Sequence, residues 1–209
     1  MEHYHSSIRR DIVPLVPQAR KLLDVGGGTG ATARHLKEIG RVEEIGVMDA
    51  VVGSHCDGLD TWSTANLDDP DAVRNYLDEA GPFDVITLLD VLEHLADPWS
   101  AVGIFAQALR PGGVMIASIP NIRHVSVSAR LLFCNRWDYA DAGLLDRTHL
   151  RFFVKGTAIA LMDRGGLAIE RVEASPIGAR RYKLANMLTL GLLRSLFTLQ
   201  YFVVAKKDI

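Results

Sequence analysis

Asp24, Gly26, Gly28 and Gly30 fall at alternate positions in the stretch Leu22-Leu23-Asp24-Val25-Gly26-Gly27-Gly28-Thr29-Gly30, and Asp49 follows Gly30 by 19 residues. Glycines spaced this way let the backbone turn tightly and approach a ligand that a Cβ would hold away. A carboxylate delivered about 20 residues later is placed to accept hydrogen bonds from two ribose hydroxyls. Together they describe a nucleoside cradle. The ligand stays open at this level, because Gly26, Gly28 and Ala31 also fit a dinucleotide fingerprint. Asp24 weighs against that option: an acid beside the turn repels a pyrophosphate but attracts an ammonium group, directly or through water.

A second group of chemically capable residues follows Phe83-Asp84-Val85-Ile86-Thr87-Leu88-Leu89, in the run Asp90-Val91-Leu92-Glu93-His94-Leu95-Ala96-Asp97-Pro98. A third lies at Leu145-Asp146-Arg147-Thr148-His149-Leu150-Arg151-Phe152-Phe153. Histidine titrates near neutrality and can take a proton from a hydroxyl, so His94 and His149 are candidate bases, with Asp90 beside them.

The elements that must position these groups follow from the apolar runs. Leu22–Val25, Glu44–Met48, Gly58–Asn66, Phe83–Leu89, Val114–Ile119, Leu167–Ala174 and Thr198–Ala205 read as strands. Helices are expected over Tyr4–Leu15, Ala31–Ile39, Asp69–Ala80, Trp99–Leu109, Thr157–Arg164 and Tyr182–Leu196. Pro14 and Pro17 close the first, Asp69-Pro70 opens the third, and Arg110-Pro111-Gly112-Gly113 turns the chain before the fifth strand. Pro120 to Lys155 is longer than a routine connection, carries five Arg and one Lys against three Asp, and holds Trp137 and Tyr139. Such a lid suits a sugar or sugar-nucleotide; its arginines equally suit pairing with its own acids, Asp146 with Arg147 or Arg151.

Read as acid-x-G-x-G-x-G, the first motif closely resembles motif I of class I S-adenosylmethionine (SAM) methyltransferases. The run F-D-x-x-x-x-x-D-x-L-E-H-L-x-D-P and the string L-R-P-G-G before an apolar strand resemble the same family. The pair I-P-N-x-x-H and L-D-x-T-H-x-R-F-F is similar to a bacterial subfamily associated with sugar and lipopolysaccharide pathways. This resemblance, spanning approximately Leu22 to Phe153, implies an α/β, Rossmann-like doubly wound seven-stranded sheet of order 3-2-1-4-5-7-6 with strand 7 antiparallel. It implies SAM as cofactor, held by Asp24, Gly26, Gly28, Gly30, Asp49, Asn66, Leu67 and Leu89. The end of the fourth strand then borders the switch point of the sheet, which puts Asp90, Glu93 and His94 beside the transferred methyl group, with His94 or His149 as the base for an alcohol acceptor. In similar enzymes a residue of the lead-in helix reaches the SAM carboxylate; for Tyr4 and Arg9 a solvated helix face is the preferred reading.

Composition sets the outer bounds. With 209 residues, 48% hydrophobic and 23% charged, the chain reads as one globular domain over 1–209, with 120–155 as its substrate-facing insertion. A net charge of −2 argues against a general nucleic-acid binder. Cys56 and Cys134 neither form a disulfide framework nor show zinc-ligand spacing, so a cytoplasmic setting and no metal are expected. The N-terminus starts without an apolar signal region. Leu184–Ala205 is interrupted by Asn186, Gly191, Arg194 and Gln200, and reads as a core-facing helix and a strand rather than a membrane span. Peripheral membrane contact through its leucines and a homodimer are compatible with this reading. The acceptor is expected to be a small molecule or glycan. A nicotinamide-dependent oxidoreductase would be expected to carry a Tyr-x-x-x-Lys pair, which is absent. A SAM-binding scaffold subunit without activity is the reading from another class.

Overall fold

The computed structural model describes residues 7–50 and 57–208. Tyr4 and Cys56, named above, lie outside them. Seven strands form one sheet in the order β3-β2-β1-β4-β5-β7-β6: β1 (Ala19–Val25), β2 (Val42–Asp49), β3 (Thr61–Thr64), β4 (Phe83–Leu89), β5 (Leu109–Pro120), β6 (Leu167–Ala174) and β7 (Gln200–Lys207). The pairs β2–β3, β1–β2, β1–β4 and β4–β5 are parallel, whereas β7 runs antiparallel to both β5 and β6. The order therefore reverses between β1 and β4, which places the crevice at the carboxyl ends of those strands.

Consecutive strand residues face opposite sides, and both sides are covered. Leu23, Val25, Ile86, Leu88, Met115 and Val203 join one apolar layer, with Leu77, Phe105 and Leu161 from helices α2 (Pro70–Ala80), α3 (Pro98–Ala108) and α5 (Lys155–Met162). Leu22, Ile45, Val47, Val85, Ile116 and Val204 join the other, with Ala33 and Leu36 of α1 (Ala31–Glu38) and with Ile12 and Leu15 of the lead-in segment. Asp69 caps α2 by accepting from the backbone N–H of Asp71 and Ala72, and Asp97 caps α3 through Ser100.

Five expectations need correction. The lead-in segment is not helical from residue 7 to Ile12; Pro14 admits only a 3-10 turn, Val13–Leu15. Arg110-Pro111-Gly112-Gly113 does not precede β5 but lies within it, where the pairing with β4 shifts register between Phe83 and Val85. The insertion carries a helix of its own, α4 (Val125–Cys134), ended by Asn135 at φ 52°. The expected Tyr182–Leu196 helix is two helices, α6 (Arg180–Leu188) and α7 (Arg194–Phe197), broken at Leu190 (φ 50°) and Gly191 (φ 81°). Nor does α6 face the core. It has no buried residue, and Met187, Leu188, Leu190 and Leu192 are exposed. No described helix is long and apolar enough to cross a membrane.

Candidate active site

The glycine turn leaves the end of β1 and hands the chain to α1. Gly26, Gly28 and Gly30 all have positive φ, 67°, 55° and 76°. A Cβ on Gly26 would lie 2.5 Å from Cγ2 of Val91, so this position combines a left-handed backbone with a close approach to the chain leaving β4. Gly27, which the alternating motif passed over, is restricted for another reason: its Cβ would meet Oδ2 of Asp24 at 2.7 Å. The loop is folded onto that carboxylate.

Asp24 itself is buried, 2% exposed, and accepts a 2.6 Å hydrogen bond from the Thr87 hydroxyl across the β1–β4 pair. Burial raises its pKa from 3.8 to about 6; the Thr87 hydrogen bond opposes this, Asp49 adds to it and Arg9 opposes it. A carboxylate this poorly solvated gains from any cation that comes beside it. Asp49 ends β2, is also buried, and accepts from the backbone N–H of Gly28 at 2.8 Å. The two acids thus touch the same loop from two strands.

The remaining cofactor candidates border this cradle. Asn66 is exposed after β3 and accepts from the Asp68 backbone N–H, a local turn. Leu67 and Leu89 are half-buried and pack against opposite apolar layers.

Asp90 follows β4 with φ 56°, rare for a non-glycine residue and concentrated at functional junctions. Its conformation is held from several sides. The Asp90 backbone N–H donates to Ser118 Oγ at 2.9 Å, and the Ser118 hydroxyl donates to the carboxylate at 2.8 Å. Arg9 pairs with the same carboxylate at 2.5 Å. Arg9 is therefore no solvated surface residue; sequence reasoning missed the pair because its partners are 81 positions apart.

Beyond Asp90 the chain makes a 3-10 turn, Leu92–His94, against which the end of the insertion is clamped. The carbonyl of Glu93 accepts from the backbone N–H of both Leu150 and Arg151, at 2.8 and 2.9 Å. This brings the His94 and His149 rings to 4.7 Å, edge to face. Each ring is oriented by a backbone carbonyl: Nδ1 of His94 donates to Thr148 O at 3.2 Å, and Nδ1 of His149 to Leu144 O at 3.3 Å. Burial pushes the His149 pKa below its usual value, and neighbouring His94 lowers it further. Glu93 is 1% exposed, and neither of its carboxylate oxygens has a hydrogen-bond partner among the described residues. Burial first and Asp90 second push its pKa well above the usual carboxylate value.

The charges of the insertion are spent mostly on itself. Arg130 and Arg136 both pair with Asp138, and Arg147 pairs with Asp141. Arg151 donates to the Ala96 carbonyl, and Arg123 to Ser195 Oγ. Asp146 pairs with neither Arg147 nor Arg151 in this arrangement but accepts from the backbone and hydroxyl of Thr148. A separate groove of about 630 Å³ lies at the opposite end of the strands, near Arg20, Asp84 and Arg110. There Arg110 pairs with Asp84, which also accepts from the backbone of Arg20 and Lys21, a structural clip remote from the glycine turn.

Comparison with known proteins agrees with this geometry. The profile of a family described as "Methyltransferase domain" matches residues 1–172. A ubiquinone biosynthesis O-methyltransferase from Caulobacter vibrioides is 28% identical over 163 residues, covering 70% of this chain and 62% of that protein. The corresponding protein of Hydrogenovibrio crunogenus is 26% identical over 180 residues, covering 83% and 73%. Among solved structures, a SAM-dependent methyltransferase from Archaeoglobus fulgidus shares the fold with a TM-score of 0.66 at 19% identity, covering 99% of this chain and 94% of that one. A Burkholderia thailandensis 1,6-didemethyltoxoflavin-N1-methyltransferase, solved with S-adenosylhomocysteine, gives 0.64 at 14% identity, covering 100% and 81%.

Proposed function

The chain belongs to this methyltransferase-domain family, and from that premise we propose that it transfers the methyl group of SAM to a hydroxyl oxygen of a small, ring-bearing acceptor. The observation that carries the proposal is the glycine loop locked between two buried acids, Asp24 below it and Asp49 on Gly28. These residues fit the cofactor. Asp24 would hold the α-ammonium, which favours its ionised form, and Asp49 the ribose, with Asn66, Leu67 and Leu89 bordering the adenosine.

SAM supplies an activated methyl on a sulfonium, so the protein's work is orientation and exclusion of water. In this reading Asp90, fixed by Arg9 and Ser118, shapes the entrance of the acceptor, while His94 and His149 lie where its hydroxyl proton must leave. The depressed basicity of His149 keeps it neutral at physiological pH.

For the acceptor, two supports differ in weight. The internal pairing of Arg130, Arg136 and Arg147 withdraws much of the charge that a sugar-nucleotide would need. The relatives named as ubiquinone O-methyltransferases favour a phenolic hydroxyl, and the exposed leucines around α6 suit an acceptor drawn from a membrane surface. The test is incubation with methyl-labelled SAM and two acceptor panels, catechol-type phenols and nucleotide sugars. Label on a phenolic oxygen supports the proposal; label on sugars alone corrects the acceptor; SAM binding with no transfer to any hydroxyl favours the scaffold reading.

A further inference from the structure

We propose that Glu93, His94 and His149 form a binding site for one divalent transition-metal ion. Each residue offers a ligand atom, and these atoms lie within 4.8 Å of one another. One measured separation, His149 Nε2 to Glu93 Oε1, is 4.0 Å. Three atoms between about 4 and 4.8 Å apart surround a point about 2.3–2.8 Å from each, so small side-chain adjustments would bring them to the roughly 2.0–2.2 Å of zinc bonds to imidazole and carboxylate.

Two further observations point to a ligand. Glu93 is buried to 1% exposure with neither oxygen hydrogen-bonded among the described residues, a costly state for an acid that a cation beside it would relieve. The two imidazoles, meanwhile, are already arranged as metal ligands are. Backbone carbonyls accept from Nδ1 of each ring, which fixes the tautomer and leaves the Nε2 lone pair available. The Leu150 and Arg151 hydrogen bonds to the Glu93 carbonyl hold the two halves of the site together before any ion arrives. Two imidazoles and one carboxylate match borderline ions such as zinc(II) rather than magnesium, and leave positions open for water or a hydroxyl. Sequence reasoning expected no metal from the spacing of Cys56 and Cys134, and His94 and His149, 55 residues apart, share no ligand-spacing motif that would signal one.

The role of such an ion rests on the proposed function: beside Asp90 it would bind the acceptor's hydroxyl and lower its pKa, with the imidazoles acting as ligands rather than bases. Its existence does not, so the test uses no SAM and no acceptor. The full chain, stripped with a chelator, is titrated with zinc chloride by calorimetry and with cobalt(II) while visible absorption is followed. We expect one zinc per chain, d–d bands of low-coordinate cobalt, and a melting temperature raised by zinc. Glu93→Gln and His149→Ala should each weaken zinc binding by at least about tenfold, whereas replacing both cysteines with serine leaves it unchanged. Absence of zinc binding in the parent chain, or undiminished binding in well-folded Glu93→Gln, overturns the site and leaves the methyl-transfer reading intact. Should a variant not fold, the cobalt spectrum of the parent chain decides: bands of nitrogen–oxygen coordination support the site, and a purely hexaaqua spectrum refutes it.

Discussion

Replacing Asp24 with asparagine should stabilise the ligand-free protein at neutral pH while weakening its hold on SAM. In the folded chain the Asp24 carboxyl titrates at about 6, against 3.8 without burial. At about 1.4 kcal/mol per tenfold, keeping this group ionised costs the folded state about 3 kcal/mol. Below pH 3.8 both folded and unfolded chains carry the proton, and the cost vanishes. Between 3.8 and about 6 the folded chain keeps a proton that the unfolded chain has released, so stability falls as pH rises; above about 7 the loss is complete. Asparagine keeps an oxygen to accept from Thr87, which donates here at 2.6 Å, and carries no charge to desolvate. Urea unfolding of parent and Asp24→Asn from pH 5 to 8 should therefore diverge, reaching up to about 3 kcal/mol in favour of the variant, or about 6–12 °C in melting temperature for a chain of this size. Calorimetry at pH 7.5 should show weaker SAM binding by the same variant, because the ammonium loses its counter-charge. Parallel stability curves across that pH range, or unchanged SAM affinity, would refute the reasoning.

Other residues give narrower expectations. Gly26→Ala forces a Cβ into Val91 at a φ of 67° and should lower stability by about 1–3 kcal/mol, read by urea unfolding, with SAM affinity lost in protein that remains folded. Asp69→Ala removes the cap of α2 and should cost about 1 kcal/mol without changing SAM affinity, since the Asp69 side chain accepts from the first N–H groups of the helix and its backbone bond to Asn66 survives the substitution. Asp49→Asn preserves an acceptor for the Gly28 N–H but halves what a ribose can be offered; SAM affinity should fall at least about tenfold with little change in melting temperature.

Much of the scaffold was legible where short-range patterns decide it. Phe83–Leu89 and Leu167–Ala174 form strands over the residues expected from their apolar runs, and Asp69-Pro70 opens α2 as its capping chemistry requires. The strand order came from family resemblance, because no local pattern says that β7 inserts between β5 and β6. One failure came from reading leucine content as burial. Leu184, Met187 and Leu188 repeat as a core helix would, yet all three side chains are exposed on α6. At the site, Asp24, Asp49 and the glycines stood out because their spacing is set within one strand–turn–helix–strand unit. Arg9 with Asp90, and Glu93 with His149, are joined only by the completed fold, so no window of sequence could pair them.

The central claim is that the carboxyl ends of β1, β2 and β4 hold the methyl donor, with Asp24 and Asp49 at its two ends. A crystal structure of the chain grown with S-adenosylhomocysteine tests it most directly. The expected result is density over Gly26–Gly30, with the amino group against Asp24, the ribose hydroxyls on Asp49 and the sulfur toward Asp90. An empty crevice at saturating ligand, or the nucleoside bound at the opposite end of the strands beside Asp84 and Arg110, would contradict it.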